Sequence, residues 1–268
     1  LGYDRALAKT PYASLLFGDT PQETLERARA ALHDGFSAAK FGWGPIGLAG
    51  VQADADHFAA AREGLGPDAY LMVDVGQVFG EDLEAAAARL KPLDEAGALW
   101  LEEPFHAGAL EAYAALAARR SRVRIAGGEA AHNVHMAAHL LSYGDIGFVQ
   151  IDCGRIGGIG PAKIVADMAV ARGVTYVNHT FTSHLALSAS MQPFAGLAQS
   201  RICEYPAAPK ALARAITANH IVPDGSGEIS APDAPGLGMV IDPELVKPYL
   251  VDTEIRLGGE ILYRTPAF

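Results

Sequence analysis

The sequence predicts an α/β fold in which parallel strands alternate with helices and close into a barrel. Short runs rich in β-branched and aromatic residues alternate with alanine-rich stretches of helical periodicity. Eight such strands and seven helices follow one another, and no Pro-, Gly- or Ser-rich linker divides them. Because strands joined by single helices pair in parallel with right-handed crossovers, eight in succession can form a TIM-type barrel. An open, doubly wound sheet is the competing arrangement.

The elements follow in a regular order. The predicted strands cover residues 12–17, 36–41, 70–74, 99–102, 123–127, 146–151, 174–178 and 201–204. The predicted helices cover residues 20–34, 51–64, 81–96, 108–120, 131–142, 157–172 and 182–198. The first helix has a clear start signal, since Thr20 is a good N-cap, Pro21 suits the first helical position and Glu23 places an acid in the first turn.

The alternation stops after Glu204. We therefore assign residues 1–205 to a catalytic barrel and residues 206–268 to a C-terminal extension. The alternating pattern of residues 254–263, with glycines at its centre, predicts a β-hairpin. Because two isolated strands are marginally stable in water, and because the chain starts with Leu1 rather than Met, we expect the extension to pack on an N-terminal segment that this sequence lacks.

Composition narrows the class of protein. The chain has 268 residues, of which 50% are hydrophobic and 19% charged, as is typical of a globular protein. Its net charge of −10 argues against a nucleic-acid or anionic-membrane partner. Two cysteines without a CxxC pair, no apolar run of membrane-spanning length and no signal-peptide pattern favour a cytoplasmic protein that acts on a small molecule.

Ionisable residues follow seven successive predicted strands, from the second to the eighth. They are Lys40, Asp74, Glu102 with Glu103, Glu129, Asp152, His179 and Glu204. A parallel barrel brings the carboxyl ends of all its strands to one mouth, where reactive residues gather. The pattern therefore predicts one site built from these side chains.

Three of these acids, Asp74, Glu102 and Glu129, follow neighbouring strands, so their carboxylates should converge. The negative charges of three such carboxylates would repel one another, and this repulsion would raise their pKa values unless a cation bound between them. Oxygen ligands favour a hard divalent ion, most simply Mg²⁺, and the absence of His and Cys from the cluster disfavours Zn²⁺.

Asp152 and His179 follow adjacent strands on the other side of the mouth. A carboxylate there can accept the imidazole N–H, fix its tautomer and leave the other nitrogen free to act as a base. We therefore interpret the pair as a dyad for proton transfer.

Taken together, these motifs resemble the enolase superfamily, mandelate racemase subgroup, over nearly the whole chain. The matching segments are Lys40-Phe41-Gly42, Val73-Asp74, Trp100-Leu101-Glu102-Glu103-Pro104, Gly127-Gly128-Glu129, Ile151-Asp152 with Gly157-Gly158-Ile159, Asn178-His179 and Cys203-Glu204-Tyr205. The resemblance implies a modified (β/α)₇β barrel, an N-terminal α+β capping domain on which the extension packs, and assembly as a homo-oligomer.

For the site, the resemblance implies Mg²⁺ bound by Asp74, Glu102 and Glu129. It also implies that His179, paired with Asp152, abstracts the proton α to a carboxylate through a metal-stabilised enediolate. Glu204 is then the acid that faces an oxygen of that enediolate.

The sequence departs from the subgroup at Lys40-Phe41-Gly42, where its racemases have Lys-x-Lys and use the second lysine as a second base. Single-base chemistry is therefore favoured, namely dehydration of a sugar acid to a 2-keto-3-deoxy acid, with Lys40 contacting the substrate carboxylate. A racemase or epimerase of a 2-hydroxy acid is the alternative. A catalytically silent barrel subunit is another.

The remaining candidate substrate contacts lie beside the strand-end motifs. They are Trp43, Glu103, His106, Arg155 and Asn178. Residues 42–47 also spell GxGxxG, the dinucleotide-binding pattern, but the next helix begins only near residue 51 and presents no N-terminus to a pyrophosphate. We therefore disfavour a nicotinamide enzyme.

Overall fold

A computed structural model describes residues 1–266 and contains the expected barrel of parallel strands. The eight strands are β1 (Thr10–Leu16), β2 (Ala38–Gly42), β3 (Tyr70–Asp74), β4 (Ala98–Glu102), β5 (Arg124–Gly127), β6 (Phe148–Ile151), β7 (Thr175–Asn178) and β8 (Ile202–Tyr205). Hydrogen bonds join them in the order β7-β6-β5-β4-β3-β2-β1-β8. Because the last strand pairs with the first, the sheet curls into a nearly closed barrel, and the open doubly wound alternative is wrong.

Helices cover the outside of the barrel. They are α1 (Pro21–His33), α2 (Val51–Leu65), α3 (Leu83–Ala87), α4 (Leu90–Glu95), α5 (Leu110–Ala117), α6 (Val134–Tyr143), α7 (Cys153–Ile156), α8 (Ile159–Ala171) and α9 (His184–Met191). The start predicted for α1 is confirmed, since the Thr20 side chain accepts a hydrogen bond from the Glu23 N–H. None of the helices in the described residues is long and apolar enough to cross a membrane.

The single helix predicted over residues 81–96 is wrong, because the structure divides it into α3 and α4. Pro92 explains the break, since its ring has no N–H to donate to the Ala88 carbonyl and would clash with that carbonyl in a continuous helix. Arg89, at the junction, forms a buried ion pair with Asp54 of α2 at 2.9 Å. The interruption thus ties two neighbouring helices together.

Two apolar clusters hold the barrel. The larger lies between the strands and the helices. The smaller fills the barrel interior and consists of Tyr12, Ala38, Met72, Trp100, Ala126, Phe148, Val177 and Ile202. Since side chains alternate along a strand, the residues two positions further along face the same interior, one level closer to the mouth.

The C-terminal extension first packs on the barrel and then leaves it. The backbone of Ile229 pairs with that of Lys9, and the Ser188 hydroxyl donates to the carbonyl of Leu237. The short helix α10 (Ala211–Ala215) precedes these contacts along the chain. They are followed by α11 (Pro243–Val246) and an antiparallel hairpin of β9 (Glu254–Leu257) and β10 (Glu260–Arg264). Every residue of this hairpin is exposed, including Leu257 at 71%.

Candidate active site

The barrel mouth collects the strand-end residues as strand alternation requires. Five site residues each lie two positions beyond an interior side chain of their strand. They are Lys40 on β2, Asp74 on β3, Glu102 on β4, His179 after β7 and Glu204 on β8. All five are buried. The site is therefore the uppermost layer of the barrel interior.

The three predicted metal ligands lie together. Asp74, Glu102 and Glu129 each offer a carboxylate oxygen, and these oxygens lie within 4.8 Å of one another. Burial raises the pKa of Asp74, and it raises that of Glu102 to about 8. A cluster of buried oxygens that is costly to ionise unaided fits a hard divalent cation, which binds carboxylates and stabilises their charged form.

Lys40 points into the same cluster. Its Nζ atom donates to Glu102 Oε1 at 2.7 Å and lies 3.1 Å from Glu204 Oε1 and 3.5 Å from Asp74 Oδ2. Burial alone would lower the pKa of Lys40, but Glu102 and Glu204 raise it well above its usual value. The ammonium thus offsets charge on acids that lie on three different strands.

His179 and Asp152 form the predicted dyad. Nδ1 of His179 lies 2.9 Å from Asp152 Oδ2, and Nε2 lies 3.1 Å from Glu129 Oε2. Burial would lower the pKa of His179, but the hydrogen bond to Asp152 and the charges of Glu204 and Glu129 raise it. The imidazole is therefore oriented with Nε2 toward the carboxylate cluster.

Glu204 lies beneath the mouth with no exposed surface. Burial would raise its pKa, but Lys40, His179 and the backbone N–H of Thr180 lower it. The nearby Ser14 side chain lowers the pKa further. Glu204 is therefore held as a buried carboxylate whose charge Lys40 balances.

A cavity of about 370 Å³ opens above these residues. Lys40, Trp43 and Arg155, three of the predicted substrate contacts, line it. Trp43 is 60% exposed, and its φ of 58° is strained for a bulky side chain. Arg155 donates to Glu129 Oε1 at 2.9 Å, so it also holds a candidate metal ligand.

The other three predicted contacts, Glu103, His106 and Asn178, do not line this cavity. Glu103 accepts from Gln77 Nε2 at 3.0 Å, and Gln77 in turn lies next to His106. Asn178 is fully buried against β8. Glu103 and Asn178 each adjoin a residue that faces the barrel interior, so strand alternation would have turned them away from the mouth.

The cavity-lining residues that the sequence reasoning missed include Ser14 and Phe181. Ser14 lies on β1, two residues beyond the interior side chain of Tyr12, so the same alternation could have identified it. Phe181 lies in the loop after β7, and its ring centroid is 5.4 Å from that of His179. Nothing in the sequence distinguishes Phe181 from other loop residues.

The largest cleft, of about 800 Å³, lies at the opposite end of strands β5 to β7. Three arginines line it, but they bind backbone carbonyls of the barrel: Arg122 that of Asp94, Arg124 that of Gly147 and Arg172 that of Met168. Their guanidinium groups thus complete the ends of helices and loops. The predicted site residues Lys40, Asp74, Glu129, His179 and Glu204 line the smaller cavity instead.

A (β/α) barrel with three converging carboxylates, a buried lysine and a His–Asp dyad at its mouth defines an enolase-type barrel. The chain belongs to the family of enolase C-terminal domain-like proteins, whose model matches residues 23–245. The resemblance inferred from the strand-end motifs is thereby confirmed.

Several curated relatives are named as cycloisomerases or dehydratases. The chain is 30% identical to D-galactarolactone cycloisomerase of Agrobacterium fabrum, over 84% of this chain and 58% of that protein. It is 31% identical to 3,6-anhydro-alpha-L-galactonate cycloisomerase of Streptomyces coelicolor, over 90% of this chain and 62% of that protein. It is 33% identical to L-talarate/galactarate dehydratase of Salmonella typhimurium, over 54% and 36%. The chain thus spans less than two thirds of these relatives.

Solved structures give the same family. A protein from Rhodobacter sphaeroides described as a predicted mandelate racemase is 72% identical and superposes with a TM-score of 0.96, over 99% of this chain and 68% of that one. The 3,6-anhydro-D-galactonate cycloisomerase of Zobellia galactanivorans is 26% identical, with a TM-score of 0.82 over 93% and 68%.

Proposed function

We propose that this barrel removes the proton α to the carboxylate of a sugar acid and expels the β-hydroxyl, giving a 2-keto-3-deoxy acid and water. The observation that carries the proposal is the orientation of His179. Its Nδ1 is held by Asp152, while its Nε2 faces the cluster of Asp74, Glu102 and Glu129. A base is thereby fixed beside a site suited to a carboxylate-binding cation.

Asp74, Glu102 and Glu129 would hold the Mg²⁺, which when bound supplies positive charge for the negative charge that develops on the substrate carboxylate. Neutral His179 accepts the α-proton at Nε2, and Asp152 stabilises the imidazolium that results. Lys40 lies in the same cluster, where its ammonium can donate a hydrogen bond to the substrate carboxylate, and Glu204 Oε1 lies 3.1 Å from that ammonium.

The second half of the reaction needs a proton for the leaving hydroxide. Protonated His179 can return the proton that it removed, so the hydroxide leaves as water and the enol then becomes the ketone. Glu204 is the alternative acid, although its lowered pKa favours the ionised form, which has no proton to donate. Atoms balance without a further reactant.

Position 42 supports single-base chemistry. A Cβ atom on Gly42 would lie 3.3 Å from Asp74 Oδ2, so a side chain there would press on a candidate metal ligand. The second lysine of the subgroup's racemases has no counterpart at this position. This favours dehydration over racemisation or epimerisation.

Cycloisomerisation is the second candidate. Two of the relatives named above, which match 84% and 90% of this chain, are cycloisomerases. Both reactions can use one base on one face of the substrate. The products differ, because only dehydration releases water and leaves a 3-deoxy carbon.

The test is ¹H NMR of the protein in D₂O with Mg²⁺ and a panel of aldonic and aldaric acids and their lactones, with and without EDTA. We expect EDTA-sensitive loss of one α-proton signal and the appearance of a 3-deoxy methylene. Isomerisation without a deoxy signal would replace dehydration by cycloisomerisation or epimerisation. The assay is run on this chain and on its fusion with the part of the R. sphaeroides relative outside the match, and absence of any change in both would overturn the proposal.

We further propose that the exposed hairpin of β9 and β10 packs on a capping domain, and that the protein is a cytoplasmic homo-oligomer. The hairpin carries exposed apolar side chains, including Ile255, Leu257 and Leu262, which favour a covered position. The fusion described above tests the packing of the hairpin, since the hairpin amides should exchange more slowly with D₂O in the fusion than in this chain. Light scattering measures the mass of the assembly and so tests for a homo-oligomer.

A further inference from the structure

The barrel has one irregular seam. Backbone hydrogen bonds join each strand to the next from β1 to β7, and β1 to β8, but the described residues show no backbone ladder between β7 and β8. His179 and Glu204 lie on the two sides of this seam. Something other than a backbone ladder must therefore fix the distance between these two residues.

The side chain of Asn178 crosses the seam. Its Nδ2 donates to the Glu204 carbonyl at 3.0 Å, and its Oδ1 accepts from the Glu204 backbone N–H at 2.9 Å. One carboxamide thereby satisfies both backbone groups of a single residue on β8. It replaces the two hydrogen bonds that a neighbouring parallel strand would make to this residue.

These bonds are specific to asparagine. Asn178 and Glu204 have no exposed surface, so neither the backbone N–H nor the carbonyl of Glu204 can hydrogen-bond to solvent instead. Aspartate could accept from the N–H but could not donate to the carbonyl, and glutamine is one methylene longer. A second bond crosses the seam just above, where the backbone N–H of Thr180 donates to the Glu204 carboxylate.

We propose that Asn178 is a positioning residue that closes the barrel in place of a backbone ladder and fixes the spacing between His179 and Glu204. This inference rests on the proposed function, in which those two groups act on one substrate. It also gives Asn178 a different role from the substrate contact that its sequence position suggested.

The remaining supports of the site are independent of the seam. The His179 backbone N–H donates to the Ile151 carbonyl of β6, and its ring is held by Asp152. Two candidate metal ligands lie at the ends of β3 and β4 and the third follows β5, and backbone ladders join these three strands. Loss of the Asn178 amide should therefore change proton transfer and leave metal binding intact.

The test compares Asn178→Ala and Asn178→Asp with Val177→Ala, a control that removes buried volume from the neighbouring position of the same strand. Three quantities are measured: kcat on the acid identified by NMR, the Kd for Mg²⁺ by calorimetry, and amide exchange at Glu204 by NMR. The kcat is measured on the chain or fusion that turns over.

We expect Asn178→Ala to lower kcat by about tenfold to a hundredfold, as small misplacements of reacting groups do. Its Kd for Mg²⁺ should stay within about twofold of the wild-type value, and the Glu204 amide should exchange faster. Asn178→Asp should keep the slow amide exchange, because its carboxylate still accepts that N–H, yet should lose kcat. Val177→Ala should keep both the wild-type kcat and the slow exchange of the Glu204 amide.

Unchanged exchange at Glu204 in Asn178→Ala would overturn the seam assignment, whether or not any acid is turned over. A kcat in Asn178→Ala equal to that of Val177→Ala would overturn the positioning role. Failure of the wild-type protein to act on any acid would instead count against the proposed function, and the exchange data would still decide the seam.

Discussion

Asp152 uses its two oxygens for different purposes. Oδ1 accepts from the backbone N–H groups of Gly154 and Arg155 at 2.7 and 3.0 Å, which caps α7, while Oδ2 lies 2.9 Å from His179 Nδ1. The cap fixes the carboxylate, and the carboxylate fixes the imidazole. The orientation of the proposed base therefore originates in the start of a helix of four residues.

Asp152→Asn should separate these two purposes. The amide oxygen can keep the cap of α7, and the amide NH₂ then faces His179 Nδ1 as a donor. That arrangement puts the imidazole proton on Nε2, where a base needs a free lone pair. We expect α-proton exchange to fall by about 10²–10⁴-fold. Unaltered exchange, measured in D₂O by NMR, would contradict the orienting role of Asp152.

Glu102→Gln and Glu103→Gln form a matched pair of adjacent substitutions. Only Glu102 belongs to the carboxylate cluster, whereas Glu103 accepts a hydrogen bond from Gln77 that a glutamine could also accept. Saturating Mg²⁺ should therefore raise the melting temperature of Glu103→Gln as it does that of the wild-type protein, by mass action, and should leave that of Glu102→Gln unchanged. Differential scanning calorimetry with and without EDTA measures both. An equal Mg²⁺ response in the two variants would remove Glu102 from the site.

Lys40→Met should lower the free energy of unfolding, because the acid cluster then loses its ammonium. The substitution leaves Asp74, Glu102 and Glu204 without their nearest cation, and breaking a buried ion pair in this way costs about 3–5 kcal/mol. Urea denaturation in EDTA measures this loss, and Mg²⁺ should recover part of it. Lys91→Met, at an exposed lysine, is the control and should lie within about 0.5 kcal/mol of the wild-type protein. Equal stabilities of the two variants would show that Lys40 does not balance the cluster.

The contact between the barrel and the extension should weaken in acid. His184 accepts the Ile221 backbone N–H through Nδ1, and burial and the nearby His220 and Arg214 lower its pKa from 6.5 to about 4. Because the unfolded chain then binds more protons between those two pH values, the free energy of unfolding should fall as pH drops from 6.5 to about 4. We expect this group to contribute roughly 1–2 kcal/mol, measured by urea denaturation across that range.

His184→Asn keeps an acceptor near the Nδ1 position and removes the titration, so its stability should depend less on pH in this window. His33→Asn, at a side chain that is 90% exposed, is the control and should follow the wild-type curve. Parallel curves for His184→Asn and the wild-type protein would show that His184 does not titrate in this range.

The barrel could be predicted because its signals are local and repeated. Each strand is a short apolar run, and seven of the eight are followed by an ionisable residue. Alternation directs such residues into the mouth at positions such as Asp74 and Glu102. The cluster and the dyad follow from neighbouring strands alone. The prediction of one helix over residues 81–96 was wrong because it relied on the helical periodicity and gave too little weight to Pro92. The steric clash of the Pro92 ring interrupts the helix there.

The finer geometry depends on contacts between distant strands. That Lys40 donates to Glu102 and lies beside Glu204 is set by side-chain packing across β2, β4 and β8. The role of Asn178 depends on the missing ladder between β7 and β8, which arises only when the barrel closes. Periodicity along one strand contains no information about either contact.

The most direct test of the account is α-proton exchange in D₂O with Mg²⁺, for the wild-type protein and for His179→Asn, on the acid that the NMR panel identifies. The account predicts EDTA-sensitive exchange in the wild-type protein, and loss of that exchange in His179→Asn with the Kd for Mg²⁺ unchanged. Full exchange in His179→Asn would show that another group removes the proton and would contradict the central claim.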